Sequence, residues 1–247
     1  MTTLVAGASG ATGRLLVEEL LNRGQDVRAI VRSPDKLSAT HRNHGRLLLI
    51  EAGVLEIGDA EMARHVDGCD AVASCLGHNL NGKGIYGQPR RLVTDAVRRL
   101  CHAIKANKPE KPVRFVLMNT AGNSNRDLNE TPSRMERCAM GLIRLLLPPH
   151  ADNEQAADYL RIEIGRNDAE IQWAVVRPDT LIDENRVIEY EVYPSPTRSA
   201  LFNPGRTSRI NVGRFMADLI TDDAAWKQWQ GRMPVIYNRE IRIQGKG

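Results

Sequence analysis

The chain has 247 residues, a formal net charge of +4 at pH 7, and 42% hydrophobic, 26% charged and 4% aromatic residues. That is the make-up of a soluble globule with one large α/β domain or a domain plus a small lobe. Aromatics are too few for a single-strand nucleic-acid platform and basic residues sit beside acids, as in Arg134-Met135-Glu136-Arg137, so the positive excess suits an anionic small molecule rather than nucleic acid.

The first element is an apolar run, Thr3-Leu4-Val5-Ala6, that meets Gly7 and then Gly10 and Gly13. From Ala11 the pattern turns helical, with Leu16, Leu20 and Leu21 on one face. Strand, glycine turn and helix in this order aim backbone N–H groups at a phosphate at the positive end of the helix. Gly7 takes the positive φ of the turn, Gly10 lets a pyrophosphate approach, and Gly13 lets helix and strand close up. Ser9 and Thr12 add hydroxyl donors.

Strands then alternate with helices. Strands are expected at Asp26–Arg32, Arg46–Ala52, Asp70–Leu76, Val113–Met118 and Ile171–Val176. Gly24 ends the first helix, and Ser33-Pro34 starts a short one. Further helices are expected from Asp59 to Val66, from Pro89 to Lys105, at Ser133–Leu147 and at Asp152–Arg166, the last two separated by Pro148-Pro149-His150. Beyond Pro178, a strand at Val187–Tyr193, a helix capped by Asn211, a short helix with Trp226 and Trp229, and a strand at Met233–Tyr237 complete the chain. The expected architecture is a doubly wound parallel-sheet Rossmann fold, with a core over residues 1–178 and a small C-terminal substrate lobe over 179–247.

No apolar run approaches the roughly 20 residues that span a bilayer, so no membrane association is expected. The N-terminus lacks the basic start of a secretory leader, and a cytoplasmic location is the expectation. Cys69, Cys75, Cys101 and Cys138 form no CxxC pair, and no metal site is expected. Cys75 reads as a buried, inert thiol.

The end of the second strand separates the two nicotinamide cofactors. NAD binding calls for an acid about 20 residues beyond the glycines. Arg32 stands there instead, followed by Ser33 and Lys36, and a guanidinium pairs well with a 2′-phosphate. NADP(H) is therefore expected in preference to NAD(H), the alternative being that Asp35 takes the ribose. Loop positions place Leu55 against the adenine, Leu76 and Gly77 at a close backbone approach, Asn119 and Thr120 near the nicotinamide, and Pro178 at the end of the sixth strand.

The set GASGATG, IVRSPDK, GCDAVASCLG, FVLMNTAG and WAVVRPDTL resembles the atypical short-chain dehydrogenase/reductases, in particular the NmrA-like and biliverdin/flavin reductase-like branch. The resemblance covers about Thr3 to Leu181. It implies Gly7, Ser9, Gly10, Ala11, Thr12 and Gly13 on the pyrophosphate, Arg32 on the 2′-phosphate, Leu76-Gly77 beside the ribose, and Thr120 where the family has its catalytic Ser. A homodimer is the common habit of that superfamily.

Two departures stand out. The third strand is followed by Gly53-Val54, where the family often has Gly-Asp. The Tyr-x-x-x-Lys pair is missing: Tyr159 is followed four residues on by Glu163. A tyrosine with its pKa near 10 needs a cation beside it to move protons at neutral pH, so Tyr159 reads as packing. His150 remains as a proton donor, or as an idle residue before a helix capped by Asp152. His78 and the loop Asn79–Gly87 read as a lid or as a solvated loop. Arg198, Arg206 and Arg209 suit an anionic small-molecule substrate, and surface solubility explains them equally. The expected function is NADPH-dependent reduction of a carbonyl, enone, quinone or flavin-like acceptor. The alternatives are a non-catalytic NADPH-binding redox sensor, or an isomerase, epimerase or lyase with tightly held nucleotide.

Overall fold

Alternation along the strands decides the architecture. In the computed structural model, which describes residues 1–78, 87–128, 130 and 134–239 (the side chains of 134, 136–138 and 145 excepted), successive side chains enter two separate cores. Leu4 and Ala6 face one core and Val5 the other. Phe115 and Leu117 face the first and Val116 the second, as do Trp173 and Val175 against Ala174 and Val176. A strand whose two faces are both apolar has to lie inside a sheet covered on both sides.

Among the described residues that sheet has eight strands, in the order β3-β2-β1-β4-β5-β6-β10-β8. Its parallel core is β1 (Thr2–Ala6), β2 (Asp26–Val31), β3 (Leu47–Glu51), β4 (Ala71–Ser74), β5 (Val113–Met118) and β6 (Ile171–Pro178). β10 (Val235–Asn238) continues it in parallel, and β8 (Tyr190–Tyr193) closes the edge antiparallel. The expected doubly wound Rossmann fold is thus present. The strand order reverses between β1 and β4, and in such sheets ligands sit beyond the strand ends at that point.

On the first face lie α3 (Asp59–Val66), α4 (Leu92–Ala106) and α6 (Pro148–Asp158); on the second lie α1 (Gly13–Asn22), α7 (Arg209–Thr221) and α8 (Asp223–Trp229). A short α2 (Ala39–Arg42) precedes β3, and α5 (Arg134–Leu146) precedes α6. α7 crosses α1 closely: a Cβ on Gly213 would stand 3.1 Å from the Leu16 nitrogen. The C-terminal segment therefore both packs on the glycine-turn helix and extends the sheet. The remaining strands, β7 (Thr180–Ile182) and β9 (Arg206–Ser208), pair in parallel as a separate small sheet that the sequence pattern did not reveal.

Several helix starts differ from expectation. Pro148 and Pro149 begin α6 rather than separating two helices, since proline suits the first helical turn. The helix then runs on as a π-type turn, Tyr159–Ile164. Asp152 consequently is not the cap of its own helix. It lies inside α6 and caps α4: its carboxylate accepts from the Val93 and Thr94 N–H groups at 2.8 and 2.9 Å. α4 begins at Leu92, not Pro89, and Arg91 at its cap position makes no side-chain cap bond, so the acceptor comes from elsewhere in the fold. Likewise Ser208, not Asn211, caps α7, its hydroxyl accepting from the Asn211 N–H. No helix among the described residues is long and apolar enough to cross a membrane.

Candidate functional site

The turn between β1 and α1 is fixed by sterics. Gly7 has φ +76°, and a Cβ there would stand 2.9 Å from the carbonyl of Cys75 and the nitrogen of Leu76 at the exit of β4. A Cβ on Gly13 would meet the Gly7 oxygen at 2.1 Å, so only glycine lets the helix start this near the strand. The Gly10 N–H donates to the Gly7 oxygen at 3.0 Å, and that oxygen is all a Cβ on Gly10 would approach. The open side of Gly10 faces a cleft of about 210 Å³, which Gly7 and Ser9 also line. Ala11 is exposed beside it, while Thr12 and Gly13 lie buried beneath, Thr12 at the cap position of α1.

The cleft runs past the ends of β2, β3 and β4. Arg32 and Lys36 line it from the β2 side, and neither side chain makes a hydrogen bond or ion pair among the described residues. Asp35 is turned outside the cleft, paired with Arg42 at 3.0 Å. Ser33 caps the turn Pro34–Lys36 in position only and lies off the lining. Leu55, Leu76 and Gly77 line the cleft as expected. Cys75 is buried at its floor, where burial pushes the thiol up to about 12. A phosphate cradle that no Cβ fills, two unpaired cations and apolar walls fit a phosphorylated dinucleotide. The sequence reading missed several lining residues, Ile30, Ala52, Pro89 and Leu92 among them, and the acid Glu56, whose carboxylate accepts from the Gly53 N–H at 3.1 Å.

Beyond β5 the two expected catalytic residues flank Gly122, and neither is in the lining of the cleft. Thr120 Oγ1 and His150 Cε1 lie 3.7 and 3.5 Å from the place a Cβ would take on Gly122. His150 sits in the first turn of α6 and not in a loop. Its Nε2 is buried with no hydrogen-bond partner and stands 3.5 Å from Glu154 Oε1. Burial acts to raise the Glu154 pKa, but His150 and the two-pronged Arg144 guanidinium outweigh it and bring the carboxyl down to about 2.

Asn119 is committed within the protein. Its amide donates to the Asn153 carbonyl at 2.8 Å and its oxygen accepts from the Thr120 N–H at 2.9 Å, so it ties the Thr120 loop to α6 instead of facing a ligand. Pro178 accepts the Ala121 N–H at 2.8 Å and lies off the cleft lining. The His78 side chain is buried, its Nε2 2.7 Å from Asp152 Oδ2. The rest of the suggested lid, residues 79–86, lies outside the described residues, as does the Cys138 side chain. Tyr159 packs on the core with the Arg98 guanidinium 5.2 Å above its ring, and burial drives its phenol up to about 12. Arg209 pairs with Asp183 at 3.0 Å, and the Arg198 guanidinium stacks 5.6 Å from the Tyr237 ring. Arg206 is exposed on β9.

Sheet order, glycine turn and cleft define a nucleotide-binding protein of Rossmann type. The sequence profile described as NAD(P)H-binding matches residues 7–223, and the chain belongs to that family. Cinnamoyl-CoA reductase 1 of Arabidopsis thaliana is 29% identical over 136 residues, which cover 53% of this chain and 37% of the relative. The match thus spans little more than a third of that relative's length. Two solved structures share the fold. A short-chain dehydrogenase/reductase of Veillonella parvula in complex with NADP has a TM-score of 0.69 at 15% identity, over 96% of this chain and 94% of the other. An anaerobillin reductase of Escherichia coli has a TM-score of 0.66 at 16% identity, over 98% and 99%. The NAD(P)H-binding family agrees with the nucleotide-binding part of what the sequence resemblance implied.

Proposed function

We propose that the protein is an NADPH-dependent reductase of a small carbonyl, enone, quinone or flavin-like acceptor. The observation that carries the reading is the pair Arg32 and Lys36, whose side chains line the β2 end of the cleft with no partner among the described residues, while Asp35 between them in sequence lies off the lining and pairs with Arg42. Two unopposed cations suit a 2′-phosphate; an NAD site would place a carboxylate there. When bound, NADPH supplies a hydride.

The chain's own residues supply orientation and a proton. Thr120 Oγ1 can donate to an acceptor oxygen. His150, which flanks Gly122 with Thr120 and stands 3.5 Å from Glu154 through Nε2, can give that oxygen a proton. Arg144 holds Glu154 by both carboxylate oxygens, at 2.5 and 2.6 Å, which keeps the carboxylate charged and in place. Tyr159 takes no part. An anionic acceptor would find Arg206 exposed on β9 in the C-terminal segment.

The test is steady-state kinetics on variants. His150→Ala is expected to lower kcat toward an enone by about a hundredfold or more, the usual contribution of a positioned acid, with NADPH affinity unchanged. The loss should be far smaller toward flavin, which needs less proton delivery. Thr120→Val should lower kcat toward the enone as well. An unchanged kcat for His150→Ala with every acceptor would remove His150 from the chemistry.

A further inference from the structure

α4 starts without a cap of its own. The first N–H groups of a helix have no partner inside it, and Arg91 at the cap position offers none. Asp152 of α6 supplies the acceptor instead, Oδ2 taking the Val93 N–H and Oδ1 the Thr94 N–H. A negative charge there also meets the positive end of α4. The Thr94 hydroxyl returns the tie by donating to the Asp152 carbonyl at 2.9 Å. The Asp152 side chain is 1% exposed, so water does not compete for it.

A third donor reaches this carboxylate from another part of the chain. His78 Nε2 stands 2.7 Å from Oδ2, with the imidazole 6% exposed. A carboxylate accepts and does not donate, so the hydrogen on this bond belongs to Nε2. Bonds of this length to a charged acceptor are the strong ones. His78 follows Leu76 and Gly77, which line the cleft at the exit of β4. A Cβ on Gly77 would meet nothing within 4 Å, so packing at Gly77 itself does not hold that wall. Leu92, the first residue of α4, lines the same cleft, as does Pro89 before it. Two walls that are separate in the chain thus end on one buried carboxylate, and that carboxylate belongs to α6.

We infer that His78 is a positioning residue for the nucleotide: its bond to Asp152 sets the Leu76–Gly77 wall at a fixed distance from the start of α4, and so fixes the width of the cleft between them. The inference rests on the nucleotide lying in this cleft. His78 acts through Asp152 and through the shape of the cleft, so its effect falls on NADPH and NADH alike. In this it differs from Arg32, whose effect falls on the 2′-phosphate.

The test is fluorescence titration of NADPH and of NADH, with thermal unfolding alongside, for wild type, His78→Ala, His78→Gln and Thr94→Val. Asp152 keeps its two backbone donors in all of them, so the fold is expected to hold. His78→Ala should weaken both nucleotides by the same factor, roughly tenfold, as for the loss of one hydrogen bond to a charged group. His78→Gln keeps an N–H donor for the carboxylate and should recover most of that loss. Thr94→Val removes a buried bond to Asp152 but leaves the His78 bond in place; it should lower Tm with little change in nucleotide affinity. Were His78 only a brace for stability, His78→Ala would lower Tm and still bind both nucleotides like wild type. Were it a direct phosphate contact, His78→Ala would weaken NADPH alone. Either result overturns the inference, as does weakening by His78→Gln or Thr94→Val equal to that of His78→Ala; in each case wild type still binds NADPH and the reductase reading stands. Binding of neither nucleotide by wild type overturns both.

Discussion

Arg32→Ala is expected to weaken NADPH binding roughly ten- to a hundredfold and to leave NADH binding nearly unchanged, a selectivity that one charge-assisted hydrogen bond supports. The reason lies in what surrounds the side chain. Arg32 follows β2 (Asp26–Val31) directly, lines the cleft and has no hydrogen-bond or ion-pair partner among the described residues. Removing it therefore breaks nothing inside the protein, and the loss belongs to the ligand. Lys36 lines the same end and retains part of the attraction, so the double variant with Lys36→Ala should lose more than Arg32→Ala alone. Arg32→Lys should recover less than full affinity, because an ammonium lacks the planar fork that meets a phosphate in two places. Isothermal titration with the two nucleotides reads this out. Equal losses for NADPH and NADH would contradict the assignment.

Arg177→Ala is expected to cost about 3–5 kcal/mol, the usual penalty for stranding a buried charge, and for a chain of this size to lower Tm by roughly 6–20 °C. Arg177 is fully buried near the end of β6. Its guanidinium meets both oxygens of Glu130, at 2.7 and 2.9 Å, and donates to the carbonyls of Met233, Asn123 and Pro194. One side chain thus joins the loop after β5 to the chain before β10 and the segment after β8. Alanine would leave Glu130 charged in the interior and three carbonyls without a donor. Removing Glu130 as well should restore part of the loss, since the unpaired charge goes with it. Thermal unfolding of the two variants checks this. A cost below about 1 kcal/mol for Arg177→Ala would mean that water reaches the cluster.

Local patterns were legible in the sequence and long-range ones were not. GASGATG, read with the strand before it and the helix after it, gave the phosphate turn, because each glycine answers to a contact within a few residues or at the neighbouring strand exit. The parallel strands followed from apolar runs that fill two cores. Arg32 and Lys36 could be placed because they follow directly from a strand end. The cap of α4 could not: its acceptor, Asp152, lies 58 and 59 positions away in sequence. Nor could β7 and β9, three-residue strands whose pairing spans the segment between them. Asn119 was placed near the ligand by its loop, yet its amide is spent on Asn153 and Thr120, a commitment that only the packing of α6 reveals. Glu56 was missed as a lining residue because its carboxylate comes over Gly53 only once the turn has folded.

The most direct measurement is absorbance at the nicotinamide band, with purified protein, NADPH or NADH, and a panel of flavin, quinone and enone acceptors. The account predicts oxidation of NADPH by at least one acceptor, with NADH consumed far more slowly under the same conditions. Tight binding of NADPH with no oxidation by any member of the panel would contradict the reductase and turn the same cleft into that of a sensor.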